Sequence, residues 1–271
     1  MEISLFNVFE FLLIGTIVGF LGGFLGVGGG ALMIPLFNYW VFPSLGVSSE
    51  VIVHLCFGTS LAVIIPTSIA GTLAHTRIGN ANWRMIWHLA IPGILGSFLG
   101  STIAAYLGSA LLRTLFGIIL VLISAQMLFQ RKDSEAKGES SPPRSAAVLM
   151  VGWVTGLFSG IFGLGGGVIG IPLMVKVLRM PIHRAVGTSI AFVFFTSLVG
   201  ATGYVIHGWG DPNLPPHTLG YVHVPGWILA GIPSIFLSHY GVRLARKTKP
   251  LRLRRVFALA LMIVGVRMVL P

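Results

Sequence analysis

Charge is absent from long stretches of this chain. No Asp, Glu, Lys or Arg occurs in Phe11–Ser49, Val51–Thr76, Met85–Leu112, Thr114–Gln130, Ser145–Val175, Ala185–Gly210 or Pro212–Val242. Runs of about 18 apolar residues are long enough to cross a bilayer's hydrocarbon core. Inside hydrocarbon every backbone polar group needs a partner within the protein, which makes the α-helix the solution for runs of this kind. Only 9% of the 271 residues are charged, against about 25% in soluble domains. The expected fold class is therefore an all-α polytopic membrane protein.

The formal net charge of +11 would suggest nucleic acid in a soluble chain. Here the basic residues sit in short segments between apolar runs, where they set topology and meet anionic lipid. The expected partners are the lipid bilayer and a small anionic substrate, with a homo-oligomer left open and nucleic acid excluded. Cys56 is the single cysteine and lies in an apolar run, so no intrachain disulfide forms. The histidines show no metal-ligand spacing, so no metal and no cofactor is expected.

The chain reads as a duplication. Gly19–Leu36 (GFLGGFLGVGGGALMIPL) and Gly156–Leu173 (GLFSGIFGLGGGVIGIPL) match without gaps at 9 of 18 positions. His54–Gly71 and His183–Gly200 follow, sharing His, Gly-Thr-Ser, Ala, Thr-Ser and Gly. Ile91-Pro92-Gly93 pairs with Val224-Pro225-Gly226, and Arg113, Phe116 and Met127 with Arg254, Phe257 and Met268. Residues 1–130 and 146–271 are thus two membrane repeats, and the hydrophilic stretch 131–145 is a cytoplasmic linker.

Blocks 11–42 and 145–178 are too long for one crossing, and each is broken by glycines. Each is expected to form two short helices joined at the break, as a re-entrant hairpin or two short crossings. Single spans are expected at 51–75, 85–107, 111–129, 185–206, 223–242 and 253–270. Threading outward from a cytoplasmic linker places 16 of the 18 basic residues in cytoplasmic loops, leaving only Arg113 and Arg267 outside. Both termini then face outward. Each half becomes a glycine-broken hairpin followed by three transmembrane helices, and the halves lie inverted to each other. All seven acids (Glu2, Glu10, Glu50, Asp133, Glu135, Glu139, Asp211) fall in predicted loops or at span ends.

The paired motif GFLGGFLGVGGG…P and GLFSGIFGLGGG…P, with GTS in the next span of each half, resembles the sulfite exporter TauE/SafE family of membrane transporters. The resemblance covers nearly the whole chain. It implies transport of sulfite, a sulfonate or another sulfur-containing or organic oxyanion, and a multi-pass protein of the bacterial inner (plasma) membrane.

The residues themselves point to where such an anion would sit. A glycine break frees backbone N–H groups, and the helix that restarts after it aims its positive dipole end at the gap. The expected binding residues are Gly26, Gly28, Gly29 and Gly30 with Gly163, Gly165, Gly166 and Gly167, meeting near the midplane. The hydroxyls of Thr59, Ser60, Thr188 and Ser189 are expected to donate to the anion. Thr67, Ser68, Thr196 and Ser197 read as packing, and Gly15, Gly19 and Gly23 as helix-crossing glycines, where alanine should be mild. His54 and His183 are candidates for gating or proton binding. An enzyme is not expected: GxGGG lacks the Lys-Ser/Thr of a phosphate loop and the βαβ context of a dinucleotide fold. An anion channel and a non-transport assembly or sensor protein remain the alternatives to a secondary transporter working by alternating access.

Overall fold

The computed structural model describes residues 4–25, 29–77, 79–129, 145–245 and 251–270. Gly26, Gly28, residues 131–144 of the linker and the basic loop 246–250 lie outside the described residues. The helices are α1 (Leu5–Leu25), α2 (Gly30–Leu36), α3 (Phe42–Ser44), α4 (Ile52–Arg77), α5 (Trp83–Ala105), α6 (Ser109–Phe129), α7 (Ser145–Phe162), α8 (Gly167–Lys176), α9 (Ile182–His207), α10 (Val224–Ala245) and α11 (Leu251–Val269). A π-helical turn, Phe37–Val41, joins α2 to α3. Strands β1 (Thr218–Leu219) and β2 (Val222–His223) form a small antiparallel hairpin before α10.

Among the described residues, α1, α4, α5, α6, α7 and α9 are long and apolar enough to cross a membrane. Ile91, Leu122, Met150, Phe236 and Ile263 stand exposed on the outer surface. An apolar surface of that extent suits lipid and not water. The protein is a multi-pass membrane protein.

Two expectations change. The first leg of each glycine-broken block is not short. α1 has 21 residues and α7 has 18, about 31 and 27 Å at 1.5 Å per residue. Only the second leg is short, and α8 has 10 residues. Because α1 begins at Leu5, Glu10 lies inside a span and not at its end. Its side chain is buried, with Asn7 Nδ2 donating to Oε2 at 3.2 Å and Oε1 unpartnered.

Close glycine crossings set the packing. A Cβ added at Gly15, Gly19 or Gly23 of α1 would meet the backbone of Ala230, Ser234 or Ser238 of α10. In the other half, Gly152, Gly156 and Gly160 of α7 meet Leu89, Gly93 and Ser97 of α5 in the same way. Small residues at every fourth position let two helix backbones approach without side chains between them. This contact pattern aligns Pro92 with Pro233, not with Pro225. The loop before α10 differs in length from the loop before α5, so the short match of three residues was misleading.

The principal helix contacts come in matching pairs. α1 packs on α10 as α7 packs on α5, and α4 on α10 as α9 on α5. The central helices α4 and α9 run antiparallel, with Gly71 against Ile190 and Gly200 against Leu61. α6 and α11 also run antiparallel, with Gly117 against Met268 and Gly265 against Leu120.

Candidate functional site

Gly30, at the start of α2, lies against Gly163, just after α7. A Cβ on Gly30 would lie 3.0 Å from the Gly163 carbonyl and 3.1 Å from Ser60 Oγ. Ser60 itself donates to that carbonyl at 3.0 Å, and Thr196 Oγ1 donates to the Gly165 carbonyl at 3.3 Å. Hydroxyls from α4 and α9 thus hold the second break in place. Gly163, Gly165 and Gly166 have φ of 64°, 71° and 84°, and Gly29 has 79°. This left-handed region strains any residue with a Cβ, so these positions require glycine. α8 starts at Gly167 with Gly166 as its N-cap and no side-chain cap. The amides of its first turn therefore point into the break without a side-chain acceptor.

Around this break lie four buried hydroxyls without a hydrogen-bond partner: Thr155, Ser159, Ser189 and Ser197, each 0% exposed. Ser197 Oγ would lie 3.2 Å from a Cβ on Gly165, and Ser189 Oγ 3.5 Å from one on Gly170. The methyl of Thr155 packs on Gly166 at 3.1 Å and Ser159 Cβ at 3.5 Å by the same measure. A buried hydroxyl left unpaired costs about 1–3 kcal/mol. Four of them weigh heavily against a typical net stability of about 5–15 kcal/mol. A cavity lined by Thr67, Ser68 and Ser238 among glycine and aliphatic residues, Gly22, Ile64 and Ile190 included, adjoins the break across Ile64.

The threonines of the two GTS segments have a different task. Thr59 Oγ1 accepts the His223 N–H at 2.9 Å, and Thr188 Oγ1 accepts the Asn82 N–H at 3.3 Å. Gly58 and Gly187 beside them admit the backbone of Tyr221 and of Asn80. Each bracket reaches from one half to the other and holds the chain entering α10 or α5. Thr59 and Thr188 stand in equivalent places.

The sequence matches the model of the family described as sulfite exporter TauE/SafE over residues 11–268. The chain belongs to the sulfite exporter TauE/SafE family. A probable membrane transporter protein of Methanocaldococcus jannaschii is 31% identical, covering 97% of this chain and 98% of that one. One of Haemophilus influenzae is 28% identical over 96% and 97%, and one of Xylella fastidiosa is 32% identical over 80% and 79%. No solved structure matches.

Within this TauE/SafE chain the paired histidines part company. His54 is buried, with Nε2 3.0 Å from both the Ala104 and Leu107 carbonyls and Nδ1 3.2 Å from Ser109 Oγ. It ties α4 to the turn between α5 and α6. His183 is exposed at the start of α9. Sequence reasoning missed Thr155 and Ser159. The available signal was the departure from repeat symmetry: Val18 and Gly22 stand at the matching places in the first half.

Proposed function

We propose that the protein is a secondary transporter of a small anion: sulfite, a sulfonate, or another sulfur-containing or organic oxyanion. The observation that carries this reading is the meeting of Gly30 and Gly163 beside the uncapped start of α8, in a chain of a membrane transporter family. Backbone amides at a helix N-terminus favour negative charge, and glycine lets a ligand approach the backbone. The anion binds over Gly29–Gly30 and Gly163–Gly167 in this reading.

The repeats, 1–130 and 146–271, are inverted to each other around a cytoplasmic linker at 131–145. The antiparallel packing of the equivalent helices α4 and α9, and of α6 and α11, supports this. An asymmetry between two matching seams supports alternating access. On one side Ser97 of α5 donates to the Thr196 carbonyl of α9 at 2.6 Å. Its counterpart Ser238 of α10 bonds within its own helix, to the Ile235 carbonyl at 3.0 Å, and the cavity lies there instead. Exchange of the two seams would move the opening to the other face. The protein works in the bacterial inner membrane, with both termini outside.

No acid adjoins the break among the described residues named at the site. Glu10 lies eight residues before Val18 on α1, about 12 Å along the helix. The bound anion therefore keeps its charge, and transport is electrogenic and favours export from a negative interior. Counterflow tests the reading. Sulfite or methanesulfonate inside proteoliposomes should accelerate uptake of labelled anion. Uptake without such acceleration indicates a channel, and no flux of any anion indicates a non-transport protein.

A further inference from the structure

Resting on that anion-transport reading, we propose that the side-chain part of the ligand surface is one-sided: the hydroxyls of Thr155, Ser159, Ser189 and Ser197, all from the second half, form the seam that binds the oxyanion, and the first half contributes backbone at Gly29–Gly30 and structural support.

The two halves can be compared position by position. Val18 packs on Gly29 as Thr155 packs on Gly166, with closest approaches of 2.5 and 3.1 Å to the added Cβ. The first-half counterparts of the four hydroxyl residues are Val18, Gly22, Ser60 and Ser68. Val18 and Gly22 carry no hydroxyl. Ser60 is committed to the Gly163 carbonyl, and Ser68 donates to the Ile65 carbonyl of its own helix at 2.8 Å. Among the described residues, the second half thus presents four buried, unpartnered hydroxyls and the first half presents none.

The seam follows α8 from its N-cap inward. Ser197 Oγ stands at Gly165, the Thr155 methyl and Ser159 Cβ at Gly166, and the Thr155 methyl with Ser189 Oγ at Gly170. Ser189 and Ser197 are eight residues apart on α9, about 12 Å, which exceeds the span of one small oxyanion. The anion is held at the start of α8 by Thr155, Ser159 and Ser197, and Ser189 marks the next position along the path. Oxyanion oxygens only accept hydrogen bonds, and each hydroxyl has one hydrogen to donate. The four residues are neutral, so the anion's charge is met by the helix end and not by a fixed cation.

The test uses purified full-length protein in detergent, melted with and without sulfite or methanesulfonate. The variants are Thr155→Val, Ser159→Ala, Ser197→Ala and their triple combination. Ser68→Ala and Ser124→Ala serve as comparators; Ser124 is buried on α6 and bonded to the Leu120 carbonyl. Without anion, the triple variant should melt at or above the wild type, because it loses unpaired groups. The half-saturating anion concentration should rise about tenfold or more in Thr155→Val and Ser197→Ala. Ser124→Ala should lower the melting temperature and leave half-saturation within about twofold. If Ser68→Ala weakens binding as much as Ser197→Ala, the one-sided assignment is wrong. If the triple variant melts well below the wild type, the hydroxyls are structural. If anions shift wild type and triple variant equally, this inference fails alone. If no anion shifts the wild type, the anion-site reading fails and takes the inference with it.

Discussion

Ser60 donates its hydroxyl hydrogen to the carbonyl of Gly163 at 3.0 Å, joining the first GTS segment to the second glycine break. The bond is buried and crosses between the repeats. Ser60→Ala leaves that carbonyl short of a donor, at a cost of about 1–3 kcal/mol. The variant should reach the membrane, melt lower than the wild type and transport more slowly. Melting curves and initial flux rates check both effects, and an unchanged melting temperature would remove this bond from the account.

The glycines divide into two kinds, and substitutions should tell them apart. Gly29→Val and Gly166→Val place a branched side chain at φ of 79° and 84°. Both should abolish transport, and detergent-solubilised yield should show that protein is still made and inserted. Gly15 and Gly19 were expected to accept alanine mildly. The crossing with α10 changes that expectation, because an added Cβ would run into the Ala230 carbonyl and into Ser234 Cα. Gly15→Ala and Gly19→Ala should each cost about 1–3 kcal/mol through overpacking. That loss should appear as reduced melting temperature rather than as altered affinity.

Acid should destabilise the junction before α10. His223 lies in β2, its backbone N–H bound to Thr59 and its Nδ1 accepting the Gly226 N–H at 3.0 Å. Burial pushes its pKa down from the ordinary 6.5 to about 4, and the charge of His217 adds to this. The folded state therefore binds fewer protons than the unfolded one between these values. The contribution is full above pH 6.5 and is lost as pH falls toward 4. The counterpart of His223 in the first half is Asn82, whose Oδ1 accepts the Met85 N–H at 3.1 Å. His223→Asn keeps the cap without a titrating ring. It should flatten the acid limb of a melting-temperature profile, even if lost contact with Phe11 and Phe42 lowers the plateau.

Topology can be read with a single thiol. Cys56 is buried, so a Cys56→Ser chain carrying one new cysteine reports only that position. A cysteine at position 137 should resist an impermeant reagent applied to intact cells, and react after the membrane is opened. Labelling from outside would overturn the cytoplasmic linker and the inverted threading with it.

Much of this fold was legible in the sequence because hydrocarbon narrows the choices. Charge-free runs became helices, and Gly30 and Gly163 of the duplicated glycine blocks lie against each other. What was not legible depended on register and on neighbours. Three matched residues paired Pro92 with Pro225, whereas the helix crossing, which no local pattern records, pairs it with Pro233. Glu10 read as a span-end residue because the apolar run was counted from Phe11. The GTS hydroxyls divided by partner: Thr59 and Thr188 brace incoming backbone, Ser60 holds the opposite break, and only Ser189 is unpartnered. Thr155 and Ser159 looked like ordinary small residues of an apolar helix until their places around Gly166 were known.

The most direct test of the account is sulfite flux through proteoliposomes with the potential clamped by K⁺ and valinomycin, with and without Na⁺ and a pH gradient. Moving one elementary charge through the membrane is worth about 2.3 kcal/mol per 100 mV. A bound anion that keeps its charge should therefore leave a negative interior faster as the potential grows, with no need for Na⁺. Gly166→Val should abolish that flux. Flux indifferent to potential, yet lost when the Na⁺ or pH gradient is removed, would contradict the account, and loss with the pH gradient alone would direct attention to the buried carboxyl of Glu10.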